Sequence, residues 1–279
     1  MLNFDEEYGK GNTSTAPTTQ VVSQLIIQQS LSSSIVGNII YGTSGLNDVL
    51  VGSSGIDTVD YSNDVAAVTV NIQSGSATDG GGGIDTLTAI ENIRGSNYND
   101  TLVGNHALDN VIWGNDGNDN IQGRNGADTL YGENGNDTIR GGNGDDIIYG
   151  GDGNDFLYGN AGDDEIWGDD GVDAIWGHGG ADTFGYLNTC HPDVDNIKDF
   201  DISEGDALDI SDLVDQYDPL TDDINDFIAI TEVGQNSVVS VDDDGTTNGA
   251  AFTDIVQLSG VTGLSDVQTL IDNGNIIIT

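Results

Sequence analysis

From Gly114 to Gly185 the chain repeats every nine residues: GNDGNDNIQ, GRNGADTLY, GENGNDTIR, GGNGDDIIY, GGDGNDFLY, GNAGDDEIW, GDDGVDAIW and GHGGADTFG. A phase held through eight units constrains the fold severely, because neighbours of one unit must adopt the same local structure and stack on it. Glycine opens each unit, at Gly114, Gly123, Gly132, Gly141, Gly150, Gly159, Gly168 and Gly177. The fourth place is also glycine: Gly117, Gly126, Gly135, Gly144, Gly153, Gly162, Gly171 and Gly180. The sixth is always aspartate: Asp119, Asp128, Asp137, Asp146, Asp155, Asp164, Asp173 and Asp182. The eighth is always apolar: Ile121, Leu130, Ile139, Ile148, Leu157, Ile166, Ile175 and Phe184.

Six residues rich in Gly, Asn and Asp favour a turn, since Gly and Asn tolerate positive φ. Three residues around one inward apolar side chain make a very short strand. Turn, strand, turn, strand closes a flattened coil in which two units complete one revolution. Loops on one edge then stack at every second unit. One column of carboxylates is Asp119, Asp137, Asp155 and Asp173; the other is Asp128, Asp146, Asp164 and Asp182. Like charges stacked at about the strand spacing of 4.8 Å repel one another. A hard divalent cation removes that repulsion. Ca²⁺ accepts roughly 6–8 oxygens in flexible geometry, which aspartates and turn carbonyls can supply; Mg²⁺ demands a tighter octahedron and suits the loops less well. The composition alone would also fit a disordered Gly/Asp linker, but linkers hold no nine-residue phase.

The pattern resembles the nonapeptide of the repeats-in-toxin (RTX) family, G-G-x-G-x-D-x-U-x. The resemblance implies an all-β fold: a right-handed parallel β-roll with several bound Ca²⁺ ions, followed by a small β-rich C-terminal cap with a short helix. The implied ligands are the eight repeat aspartates and the backbone of the eight fourth-place glycines. Two looser units, GTSGLNDVLV and GSSGIDTVD, put Asp48 and Asp57 at the ligand position. GSNYNDTLV adds Asp100 above Asp119, and the ten-residue GNHALDNVIW adds Asp109 above Asp128.

Three segments are expected. Residues 1–41 are Ser/Thr/Gln-rich with apolar clusters at Val21-Val22, Leu25-Ile26-Ile27 and Ile35-Val36, and their role stays open between a strand pair, a helix and the trailing end of another domain. Residues 42–185 form the roll. It carries a strand-rich interruption near 60–94, where Val68, Val70 and Ile72 alternate with Thr69 and Asn71 as in a half-buried strand. Residues 186–279 change character. VDNIKDFDISEGDALDISDL resembles the C-terminal target domain of type I secretion substrates, on Asp195, Ile197, Asp199, Phe200, Gly205, Asp206, Leu208, Asp209, Ile210 and Ser211. Asp195, Asp199, Asp206 and Asp209 form a candidate calcium site between roll and cap, with Asp195 and Asp199 its leading ligands. SVVSVDDDG and TDIVQLSGV read as two strands around a polar turn at Asp242-Asp243-Asp244-Gly245. LSDVQTLIDNGN reads as a short helix, with Ser265 and Gln268 at capping-box spacing and Gly274 at its end.

The resemblance implies export through a type I exporter of a Gram-negative bacterium, which reads an uncleaved C-terminal signal, and calcium-triggered folding outside the cell. The acidic start MLNFDEEYGKG, with no basic-then-apolar region, fits that route. The implied setting is the C-terminal part of a surface adhesin, with any sugar or protein ligand held by the rest of a longer chain. The alternatives are the non-catalytic tail of an extracellular enzyme (lipase, protease or alginate epimerase) or a small stand-alone secreted or surface-layer protein.

Charge narrows the partners. With 48 Asp+Glu against 5 Lys+Arg the formal charge is −43, which disfavours nucleic acid and anionic membrane surfaces. No stretch approaches the roughly 18–20 apolar residues of a membrane span, so stable insertion is not expected. Cys190 alone excludes an internal disulfide. The three histidines, His106, His178 and His191, form no catalytic motif, and no enzyme activity is expected. At the ninth place, Tyr131, Tyr149 and Trp167 line one outer face and Tyr158 and Trp176 the other. Stacking between strands is the expected use of these rings, ahead of ligand binding.

Overall fold

The eighth-place side chains form one continuous inner stack. Ile121, Leu130, Ile139, Ile148, Leu157, Ile166, Ile175 and Phe184 are all within 1 % of complete burial. The computed structural model describes residues 38–187, 193–214, 216–242, 252–264 and 266–278. Within them the strands divide between a ten-stranded and a thirteen-stranded sheet, and consecutive repeat strands alternate between the two. Pairing is parallel with a step of two units: Leu130 lies beside Ile148, and Ile139 beside Leu157. Two units per turn and one buried side chain per strand follow directly from the repeat.

Most repeat strands are longer than the three residues expected. Thr129–Asn134, Thr138–Asn143, Ile147–Asp152 and Phe156–Ala161 each run through places seven to nine and on through the first three places of the next unit. Only places four to six lie outside them. The reason is that hydrogen bonding to the adjacent coil continues past the opening glycine: Glu133 registers with Gly151, and Gly142 with Asn160.

The interruption is an inserted antiparallel meander. Thr69–Asn71 pairs with Ser76–Thr78, which pairs with Ile84–Thr88. Its outer strands join the parallel stack, Thr69–Asn71 to Thr101–Val103 and Ile84–Thr88 to Val49–Val51. Val68 and Val70 are buried and Ile72 half-buried, as the alternation requires.

Both sheets run on past residue 185. Asp195–Ile197 adds to Ala174–Gly179, and Ala207–Asp209 adds to Thr183–Gly185. Thr253–Leu258 then lies parallel to Asp195–Ile197 and antiparallel to Asn236–Val241, which pairs with Ile228–Val233. Of the acidic turn expected between Asn236–Val241 and Thr253–Leu258, Asp242 is buried with its N–H on the carbonyl of Phe227, and residues 243–245 lie outside the described residues. The short helix is Val267–Asp272, with Val267 and Leu270 buried. Its N-cap is Asp266, whose side chain accepts from Thr269 N–H, while Ser265, expected in that role, lies outside the described residues. Gly274 follows at φ +80°, with its N–H on the carbonyl of Ile271. The apolar clusters of residues 1–37, Cys190 and His191 also lie outside the described residues. Among the described residues, no helix is long and apolar enough to cross a membrane.

Candidate metal centres

Each loop edge carries a column of buried carboxylates tied by backbone. The N–H of Asp119 donates to Asp137 Oδ1 at 2.7 Å, and that of Asp137 to Asp155 Oδ1 at 2.7 Å. Asp155 N–H reaches Asp173 at 2.8 Å, and Asp173 N–H reaches Asp195 at 2.9 Å. On the other edge Asp128, Asp146, Asp164, Asp182 and Asp206 are linked in the same way. The eight repeat aspartates are no more than 3 % exposed.

One oxygen of each has no partner. Oδ2 of Asp119, Asp128, Asp137, Asp146, Asp155, Asp164, Asp173 and Asp182 is buried without a hydrogen bond. Buried polar atoms are nearly always satisfied, and a bare carboxylate oxygen is among the costliest exceptions. Burial accordingly pushes Asp119 and Asp137 up to about 7 and Asp146 up to about 8, with neighbouring column aspartates adding to the rise. The opening glycines border these atoms. Any side chain on Gly114 would collide with Asp119 Oδ2 and with the carbonyl oxygen of Gly132 one turn on, and the other openings repeat the arrangement up to Gly159. At Gly168 the cradle is lined by carboxylate oxygens of both Asp173 and Asp195.

The family model for the RTX calcium-binding nonapeptide repeat (4 copies) matches residues 41–60, 88–112, 106–139, 113–148, 122–157 and 149–184. These are RTX calcium-binding repeats. No curated protein matches the chain. Among solved structures, the AlgE6R3 subunit of the mannuronan C5-epimerase of Azotobacter vinelandii shares 28% identity over 52% of this chain and 78% of its own, with a TM-score of 0.37. The AlgE6R2 subunit of that enzyme shares 23% identity over 67% of this chain and 92% of its own, with a TM-score of 0.24.

The RTX loops fit a hard cation. Their bare carboxylate oxygens are anionic and buried, and those of the six loops from Asp119 to Asp164 lie beside glycine carbonyls. Among the described residues no group of three or more His, Cys, Asp or Glu side chains converges on a point, so backbone carbonyls and water are left to complete any coordination shell. Calcium, with its flexible shell of carbonyl and carboxylate oxygens, matches that donor set.

Several expected ligands stand elsewhere. Asp109 is exposed and occupies the fifth place, where it accepts the Ala127 N–H. The extra residue in its unit slides Asn110 into the sixth place, buried, with its N–H on Asp128 Oδ1. Asp100 does stand above Asp119, donating its N–H to Asp119 Oδ1, and its own oxygens accept from Val68 N–H and Ser96. Asp57 accepts from Asn38 and Ser53, and Asp48 from Thr43 N–H. The fourth-place glycines have φ between +118° and +144°. The carbonyls of Gly117, Gly126, Gly135, Gly144, Gly153 and Gly162 abut the fourth-place glycine one turn on. The opening glycines, not singled out as ligands in the sequence, also border the bare oxygens.

The four C-terminal aspartates do not converge. Asp195 and Asp206 end the two columns. Asp199 accepts from Gly177 and His178 N–H and lies 3.3 Å from His178 Nδ1, so His178 is a contact of the C-terminal segment. Asp209 turns to Ser211. Asp206 escapes a periodic search because it lies 24 residues after Asp182 instead of 18.

The outer rings stack as expected. Tyr131–Tyr149 and Tyr149–Trp167 centroids are 5.0 and 4.9 Å apart, and Tyr158–Trp176 centroids 4.6 Å. Trp113 extends the first ladder, and Arg94 and Arg140 cover the terminal faces of Trp113 and Tyr158 at 5.0 Å. Ring faces buried against one another in this way add to strand pairing and offer little planar surface to a sugar.

Proposed function

We propose that this chain is a non-catalytic, calcium-loaded RTX roll that keeps its parent unfolded during type I export and folds once outside the cell, as the C-terminal part of a surface adhesin. The eight bare, buried aspartate oxygens carry the reading. Without a cation the two columns concentrate charge in a chain already at −43, and the extended state wins. With calcium, ligand binding becomes folding free energy. A cytosol poor in calcium and an exterior rich in it then give the chain two states on the two sides of an exporter.

The C-terminal pattern around Asp195–Ser211 supports the exporter as partner, and the acidic charge supports the exclusion of nucleic acid and of stable membrane insertion. The ligands proposed are the repeat aspartates with backbone carbonyls. Two measurements test the reading. Metal-stripped protein at neutral pH should be largely disordered by circular dichroism and gain β signal as calcium rises through about 10⁻⁴–10⁻³ M, the range of extracellular modules. A fully β-structured stripped form would defeat the calcium trigger. Residues 186–279 fused to an inert passenger should direct it out through a matched type I exporter, and retention inside the cell would defeat the export reading alone.

A further inference from the structure

The RTX match extends over residues 41–60 and 88–112, yet the loops in those stretches are built differently from the loops after Gly114. In the eight regular loops the second-place residue has positive φ whatever its type: Asn115 at 74°, Arg124 at 96°, Glu133 at 71°, Asn160 at 82°, Asp169 at 65° and His178 at 70°, with Gly142 and Gly151 alike. For a non-glycine residue that conformation is unfavourable, so the loop demands it. It leaves Oδ2 of the sixth-place aspartate without a donor in all eight.

The early loops make the opposite choice. Thr43, Ser53, Ser96 and Asn105 hold the second place, and none is among the positive-φ residues. Each turns its N–H inward onto the sixth-place side chain: Thr43 to Asp48, Ser53 to Asp57, Ser96 to Asp100 and Asn105 to Asn110. Ser53 and Ser96 add their hydroxyls at 2.9 and 2.8 Å. Asn38 and Val68 N–H groups complete Asp57 and Asp100, which have no bare oxygen. At Asn110 the charge itself is absent. The fourth place explains why the backbone can differ. It is glycine with φ of +118° or more in every regular loop, but Tyr98 in the Asp100 loop, and Gly55 in the Asp57 loop is not in that conformation.

We infer that the second and fourth places decide whether a coil takes a cation, so that calcium is held by the loops from Asp119 to Asp182 while inward N–H and hydroxyl groups replace it at Asp57 and Asp100. This rests on the calcium reading above and divides the matched repeats into cation-dependent and cation-independent coils. A carboxylate capped by three N–H and O–H donors, as at Asp100, or four, as at Asp57, has its charge satisfied by hydrogen bonds, and a cation there would have to displace them.

The test is calcium stoichiometry of the full chain by equilibrium dialysis with metal analysis. Asp57→Asn and Asp100→Asn should leave the number of bound ions unchanged, while Asp137→Asn should lower it by at least one. The double variant Ser96→Gly/Tyr98→Gly, which writes GGNGND into that loop, should raise it by one. A loss of ions in Asp57→Asn or Asp100→Asn equal to that in Asp137→Asn overturns the inference, and so does an unchanged count in a folded double variant. If the double variant fails to fold, the two asparagine variants decide the matter. Wild-type protein that binds no calcium would instead bring down the calcium reading itself, and this inference with it.

Discussion

Leu157 and Asp155 stand two residues apart, both buried, one in a dry stack and the other at its rim. The difference lies in what surrounds them. Leu157 pairs with Ile139 and Ile175 and is fully buried in the apolar stack, whereas Asp155 accepts Asp137 N–H at the loop. A carboxylate moved from the rim to the stack would have no cation, no carbonyl-lined cradle and no water. Leu157→Asp should therefore cost about 3–5 kcal/mol, the range for an uncompensated buried charge. Thr138→Asp, on the outer face beside Phe156, should stay within about 0.5 kcal/mol. Urea midpoints in saturating calcium give the comparison, and equal losses would mean that the inner and outer faces are exchanged. At this scale the sequence is nearly transparent, because a glycine-flanked period of nine fixes both faces. It misleads where one residue is inserted: at Asp109 and Asn110 the carboxylate is visible in the sequence and the register is not.

At the scale of the loop, the second and fourth places act together, and neither can be read from residue type alone. Asn115, Arg124, Glu133 and His178 share one backbone conformation despite unlike side chains, because stacking against the coil above imposes it. That explains why the bare oxygens were not foreseeable, while the aspartates carrying them were. The same loops set the response to pH. Burial, with column neighbours adding to it, holds Asp119, Asp137 and Asp146 up at about 7 to 8 in the folded, metal-free chain, against an ordinary 3.8. The folded state then binds protons more tightly than the unfolded one between those values. Stability from this source is complete below about pH 4 and is lost as pH rises through about 7–8. Metal-stripped protein should thus gain β structure on acidification from pH 8 to pH 5, and lose it again on return. Calcium should hold the roll together at pH 8, where protons no longer do, and weaken as protons compete for the same oxygens. Circular dichroism of stripped protein across that range is the check; β signal that rises with pH would contradict the burial of the columns.

At the scale of the molecule, the roll has no natural end at residue 185. Phe184 packs on Phe200 with centroids 6.0 Å apart, and Ile197, Phe200, Leu208 and Ile210 are at least 95 % buried. These are the residues whose apolar character in the sequence marks them as a cover for the open coil, which repeat proteins normally supply. What the sequence does not convey is how completely the sheets continue, since the steps from Asp173 to Asp195 and from Asp182 to Asp206 break the period that makes the rest legible. The last two regular loops depend on that continuation. Asp173 and Asp182 each donate their N–H to a carboxylate of the C-terminal segment, and Asp195 shares the cradle at Gly168 with Asp173. Removing residues 186–279 would leave two strand edges unpaired, expose Phe184 and Ile175, and delete one carboxylate from the end of each column. Exposing each of those side chains costs about 1.5–3 kcal/mol, and because calcium binding and folding are one equilibrium the loss appears as weaker calcium affinity throughout the remaining coils. Residues 38–185 should therefore need at least about tenfold more calcium to fold than residues 38–279, a shift of roughly 1.4 kcal/mol, and should fold less cooperatively. Calcium titrations of the two chains followed by circular dichroism measure the difference, and coincident midpoints with equal steepness would show that the C-terminal segment is a separate domain and not the end of the roll.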